Sequence, residues 1–84
     1  MEAVFTFHNT HGAICGERRL LDNGVKVRVM ALPSCLGAGC GLCLRVAMDD
    51  VAPSRELLHD VGIEPEAVYR KSTEAGVTRY SPLA

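Results

Sequence analysis

Apolar and polar residues alternate in two stretches near the middle of the chain. In residues 25–31 every second residue is apolar, and in residues 42–48 Leu42, Leu44, Val46 and Met48 recur at the same spacing. Because strand side chains point alternately to two faces, this pattern predicts two strands that bury one face and expose the other. Weaker alternation predicts a first strand at residues 3–7 and a last one at residues 67–70.

Two segments between these strands have helical spacing instead. Residues 11–22 can begin at a cap on Asn9 or Thr10 and end at Gly24, and residues 53–61 carry an apolar side of Leu57, Leu58 and Val61. The resulting order predicts an α+β fold of the ferredoxin-like split β-α-β type (βαββαβ), with one antiparallel sheet and two helices on one face. This domain should span residues 1–71. Residues 72–84 show no periodic pattern and are expected to form a flexible C-terminal tail.

Size and charge narrow the functional classes. The chain has 84 residues, 48% of them hydrophobic, which suits one small core. Its formal net charge of −1 lacks the basic footprint of a nucleic-acid binder, and no apolar run reaches the length of a membrane span. The first residues do not resemble a signal peptide, so a cytoplasmic protein is expected, whose cysteines serve redox, carrier or metal chemistry more readily than structural disulfides.

The most distinctive segment is the loop predicted between the two middle strands, residues 33–43. It holds three of the four cysteines, interleaved with three glycines. Glycine lets backbone N–H dipoles approach sulfur, and these dipoles favour the nucleophilic thiolate. The segment therefore predicts thiol chemistry at Cys40, supported by Gly39 and Gly41. Cys43 completes a Cys-x-x-Cys pair, which could close a disulfide or release cargo held by Cys40.

Other interpretations of the cysteines remain open. The spacing of Cys35, Cys40 and Cys43 matches the first three ligands of a plant-type [2Fe–2S] site, but no cysteine follows to supply the fourth. The same three thiols would suit zinc if another residue completed the set, the candidates being His8, His11 and Cys15. In a third interpretation the cysteines are small buried hydrophobic residues, and the chain is a non-catalytic partner subunit.

Two charged residues are candidates for supporting roles. Arg45 follows Cys43 by two positions and therefore shares its strand face, where it could stabilise a thiolate or persulfide anion, or simply face solvent. Glu17 falls on the apolar side of the first predicted helix, where it could orient a thiol or reach water at the helix edge.

Taken in order, these features resemble a small bacterial family, the Se/S carrier protein-like proteins. The resemblance covers roughly residues 4–70, and its most specific element is Cys40-Gly41 opening the third strand after a Pro-bounded loop. The matching positions are Phe5, Phe7, Ala13, Glu17, Leu21, Gly24, Leu32, Pro33, Cys40, Gly41, Arg45 and Tyr69.

The resemblance implies a ferredoxin-like carrier that acts between enzymes and is not a self-sufficient enzyme. Cys40 would hold sulfur or selenium as a persulfide or perselenide, without a cofactor. The cargo would come from a desulfurase or selenocysteine lyase and pass to an acceptor enzyme; homo-oligomerisation is left open. Cys35 and Cys43 are additional to the family pattern, which raises disulfide formation or metal binding as alternatives for this chain.

Overall fold

The computed structural model of the chain describes residues 1–36 and 41–83. Within them the elements follow the order β1 (Glu2–Thr6), α1 (Thr10–Asp22), β2 (Arg28–Ala31), β3 (Leu42–Ala47), α2 (Val51–Asp60), β4 (Ala67–Glu74) and β5 (Val77–Pro82). Short 3₁₀ turns at Ser34–Leu36 and Met48–Asp50 follow β2 and β3. The α+β class and the order of the first six helices and strands are as predicted.

The sheet differs from the prediction by one strand. Its order is β2-β3-β1-β4-β5, and every neighbouring pair is antiparallel. The four-stranded βαββαβ arrangement is therefore not matched. Part of the segment 72–84, which was predicted to be a tail without secondary structure, extends β4 to Glu74 and forms β5. The domain limit predicted at residue 71 falls inside β4. Whether residues 72–84 move as a flexible tail stays a prediction.

Both helices pack on one face of the sheet, as predicted. The core between them contains the inward-facing strand residues and one side of each helix, namely Ala3, Phe5, Phe7, Ala13, Leu20, Val27, Leu44, Val46, Leu58 and Val68. Gly16 allows the close approach, since a Cβ there would lie 3.3 Å from Leu44 Cδ1 and 3.4 Å from Leu58 Cδ2. Arg19 Nε also donates to the Leu57 carbonyl oxygen at 3.0 Å, which links the two helices.

The end of α1 explains why β2 is shorter than the predicted strand of residues 25–31. Asn9 caps the start of the helix, its side chain accepting the Gly12 N–H at 2.8 Å. At the other end Gly24 adopts φ +80°, and the Val25 N–H donates back to the Leu20 carbonyl oxygen at 3.0 Å. This bond is typical of a Schellman cap, so Val25 serves the helix end and the strand begins later.

A similar turn ends α2, and the apolar side of this helix differs from the predicted one. Leu58 is buried, but Val61, which was predicted to share its apolar side, is 49% exposed. The chain turns at Gly62, with φ +75°, and the Ile63 N–H donates to the Leu58 carbonyl oxygen at 2.9 Å. Ile63, and not Val61, packs against the core because the chain reverses direction at Gly62.

The sheet face turned away from the helices is less exposed than predicted. Strand register places Val4, Thr6 and Cys43 on this face, and all three are buried. Met30 and Tyr69, which lie opposite Cys43 and Val4 in the neighbouring strands, are half-buried. The prediction of a solvated face was therefore wrong at its centre.

Candidate functional site

The cysteine segment connects β2 to β3, as predicted, and the described residues form its two ends. The Leu32 N–H donates to the Gly41 carbonyl oxygen at 2.9 Å, which joins the two ends of the connection. Gly41 has φ +84°, a conformation that glycine adopts at little cost. Cys40 and Gly39, the predicted carrier thiol and one of its supports, lie outside the described residues.

Cys43 lies on the face predicted for it, but its thiol is fully buried. Its Sγ is 3.7 Å from the Met30 carbonyl oxygen and 3.8 Å from that of Ala31, so the S–H can donate weakly to both. Because Cys43 is fully buried, a reagent in solution reaches its thiol only when the β2–β3 region opens.

Cys35 is the exposed thiol of the segment. It lies in the 3₁₀ turn Ser34–Leu36, which closes with a bond of 3.0 Å from the Leu36 N–H to the Pro33 carbonyl oxygen. Its exposure makes Cys35 available to reagents and to partner proteins without any opening of the fold.

Tyr80 on β5 lies on the same sheet face as Cys43, although β5 was not predicted. Burial raises the pKa of the Tyr80 phenol above its ordinary value, and the negative charges of ionised Cys35 and Cys43 raise that pKa further, with a smaller contribution from Glu2. Tyr80 lies directly opposite Lys71, on the sheet face that also carries Cys43. The phenol therefore stays protonated at neutral pH and can act as a hydrogen-bond donor.

Arg45 shares the face of Cys43, as predicted, and the structure gives it a partner that sequence reasoning missed. Arg45 Nε is 3.2 Å from Glu2 Oε2, and Lys71 Nζ is 3.9 Å from Glu2 Oε1. One carboxylate thus lies between two cations and fixes their positions. Glu2 sits at the start of β1 without any motif around it, so only the pairing of β1 with both β3 and β4 could have revealed this cluster.

Glu17 lies elsewhere in the molecule. It is half-buried on α1, and α1 packs on the sheet face opposite to the one that carries Cys43. The structure therefore does not bring Glu17 and the Cys43 thiol together. Its predicted role toward Cys40 stays a prediction.

The remaining cysteine makes a separate contact on α1. Cys15 Sγ is 3.5 Å from His11 Nε2, one helical turn away, in a shallow groove that Ile63 also lines. Across residues 1–36 and 41–83, no group of three or more His, Cys, Asp or Glu side chains is placed to hold a metal ion. The predicted zinc or [2Fe–2S] set includes Cys40 and stays a prediction.

These features define the class of protein: a small α+β domain in which three of the four cysteines belong to residues 33–43, the segment that leads from β2 into β3. A family model described as "Putative Se/S carrier protein-like" matches residues 2–70, and the chain belongs to this family. The family assignment made from the sequence is thereby confirmed, and β5 lies beyond the matched residues. Neither the curated proteins nor the solved structures include a match to the chain. No helix in the described part of the chain is long and apolar enough to cross a bilayer.

Proposed function

We propose that the protein is a sulfur or selenium carrier that holds its cargo on Cys40. The observation that carries this proposal is the family match, which extends from β1 into β4 and includes Cys40-Gly41. Support comes from the ends of the β2–β3 connection, where the Leu32–Gly41 hydrogen bond closes a hairpin around the cysteine segment. A rigid frame around a short segment is suited to presenting one thiol to successive partners.

The proposed loading step is an exchange at sulfur. The Cys40 thiolate attacks the outer sulfur or selenium atom of a persulfide or perselenide on the donor enzyme. A bond forms between Cys40 Sγ and that atom, the donor's own bond to it breaks, and the electron pair leaves with the donor thiolate. Delivery repeats the exchange in reverse, with an acceptor nucleophile attacking the outer atom and Cys40 thiolate leaving. The chain thus needs no cofactor and performs no turnover alone.

The other residues have supporting roles in this proposal. Arg45 and Lys71, with their charge only partly balanced by Glu2, favour an anionic chalcogen near their face of the sheet. Cys43 is the resolving thiol: its thiolate attacks Cys40 Sγ, a Cys40–Cys43 disulfide forms, and the outer atom leaves with the electron pair as sulfide or selenide. The burial of Cys43 protects it from reagents in solution. We also place the protein in the cytoplasm, where a reducing environment keeps Cys40 and Cys43 as thiols.

Intact mass spectrometry tests the assignment of Cys40. Anaerobically purified protein is incubated with a cysteine desulfurase and cysteine, or with a selenocysteine lyase and selenocysteine, and the adduct is mapped to a residue. We expect the wild-type chain to gain one reductant-labile chalcogen atom and Cys40→Ser to gain none. Cys35→Ser is the matched control, since it removes an exposed thiol from the same segment, and it should load like the wild type.

Equal loading of Cys40→Ser and wild type would show that Cys40 is not the carrier. A bound metal that survives native but not denaturing conditions, with no chalcogen adduct, would instead support the metal site predicted from Cys35, Cys40 and Cys43.

A further inference from the structure

The sheet face turned away from the helices, here called the outer face, has an unbalanced charge. It consists of the strand residues that share the face of Cys43, as the strand register gives it. Its charged members are the cations Arg28, Arg45 and Lys71 and a single anion, Glu2. The chain has ten acidic residues in total, so nine of them lie off this face. The outer face is therefore positively charged, although the whole chain has a net charge of −1.

Two of the cations on the outer face lie directly opposite each other. Arg28 of β2 is the register partner of Arg45 of β3. Like charges in such cross-strand positions destabilise a sheet. Glu2 contacts Arg45, but Arg28 is exposed and has no ion-pair partner among the residues that the structure describes. The fold thus tolerates a repulsive pair that an external anion would relieve.

The uncharged residues of the outer face are typical of protein interfaces. Met30, Tyr69 and Tyr80 are half-buried on it, and Met30 lies directly opposite the buried Cys43. Tyrosine, methionine and arginine are enriched in the centres of protein–protein interfaces, where aromatic anchors and arginines supply much of the binding energy. The protonated phenol of Tyr80 adds a donor that an acidic partner could use.

We infer that the outer face is a docking surface for an acidic patch on the chalcogen donor, a cysteine desulfurase. This inference rests on the proposed function. Its basis is charge complementarity: a positive face with aromatic anchors would attract an acidic surface and orient it on approach. Docking there would also bring the donor to the face on which the Cys43 thiol lies, next to the strand that Cys40 precedes.

Charge reversal at Arg28 tests the inference without requiring any sulfur transfer. Association of the full chain with a purified cysteine desulfurase is measured by surface plasmon resonance in the absence of cysteine. We expect Arg28→Glu to slow association about tenfold at low salt, and the difference to shrink as added salt screens the charges. Arg79→Glu is the matched control, because Arg79 is also exposed in a strand but lies on the other side of β5. Its association rate should change less than about twofold on the same argument.

A second measurement guards against a folding artefact. Arg28→Gln removes the repulsion with Arg45, so its melting temperature should equal or exceed that of the wild type while its association is still slowed. Equal effects of Arg28→Glu and Arg79→Glu, or a wild-type chain that does not bind the desulfurase, would overturn the inference. A chain that binds in this Arg28-dependent way but never gains a chalcogen atom would instead refute carriage and leave the docking surface in place.

Discussion

The burial of Cys43 predicts how slowly its thiol reacts with an alkylating reagent. Iodoacetamide reaches an exposed thiol directly, but a fully buried one reacts only while the surrounding structure is open. Cys43 has 0% relative exposure, whereas Cys35 in the same segment is exposed. The two thiols should therefore differ in rate by the equilibrium constant for opening the β2–β3 region.

The size of this difference can be bounded from the fold. Global unfolding of a domain costs about 0.05–0.15 kcal/mol per residue, or about 4–13 kcal/mol here, and local opening costs less. β2 is a four-residue edge strand, so its opening lies well below that limit. An opening free energy of about 3 kcal/mol corresponds to alkylation of Cys43 about 150-fold slower than that of Cys35.

Mass spectrometry can follow each thiol separately. The reduced protein is sampled over time and digested with trypsin. The three cysteines of the segment stay in one peptide, since there is no Lys or Arg between Arg28 and Arg45, so fragmentation spectra are used to assign the label to each cysteine. In denaturant the rates of Cys35 and Cys43 should converge. Native rates within threefold of each other would refute the burial of Cys43.

Three further outcomes are expected. Leu58→Ala should lower the free energy of unfolding by about 2–5 kcal/mol in chemical denaturation, because Leu58 is buried between both helices and the sheet. Val61→Ala, at an exposed position, should change the free energy of unfolding by less than about 0.5 kcal/mol. Equal losses for the two variants would contradict this packing. Gly41→Ala should cost about 1 kcal/mol from backbone strain, since φ is +84° and, among the described residues other than its chain neighbours, no atom lies within 4 Å of the added Cβ. An unchanged stability would contradict that conformation. His59 Nδ1 donates a hydrogen bond of 2.7 Å to Glu64 Oε1, which raises the pKa of His59. The pair therefore stabilises the fold below pH 6.5 and loses its effect as the pH rises through the folded-state pKa. Glu64→Gln should lower the NMR-measured pKa of His59, and no change would exclude the contact.

The parts of the fold that were predicted correctly are those with strong periodicity. Alternation in β3 and helical spacing in α1 identified these elements because one face of each is buried and the other is not. The limits of β2 and α2 were less accurate, since they depend on capping hydrogen bonds at Leu20 and Leu58 that leave no hydrophobic pattern.

β5 was missed because the usual signals of a hairpin are weak there. The turn between β4 and β5 has two residues with positive φ, Ala75 at 49° and Gly76 at 79°. Such turns usually contain Asn-Gly or Asp-Gly, and alanine at the first position is not a recognised signal. The strand residues around this turn, from Thr73 to Arg79, are exposed on both faces, so they show no alternation of hydrophobic and polar residues.

The candidate site was predicted only where its residues are close together in the sequence. Cys43 and Arg45 were placed on one face correctly by strand parity, which sequence alone provides. Glu2, Lys71 and Tyr80 joined them only through pairing between strands far apart in the chain, and no local motif encodes that pairing.

The central position of β1 in the sheet determines how early the fold can form during synthesis. β1 is synthesised before both of the strands that flank it, and it pairs with β3 through Glu2 and Ala47 and with β4 through Glu2 and Lys71, so it cannot join the sheet until they follow. At about 5–20 residues per second, residue 71 is added about 3 to 14 s after residue 2. Until then Phe5 and Cys43 lack the sheet that buries them in the folded protein. Nascent chains are therefore open to chaperone binding and to thiol oxidation during that interval, at Cys43 as well as at Cys35, which stays exposed after folding.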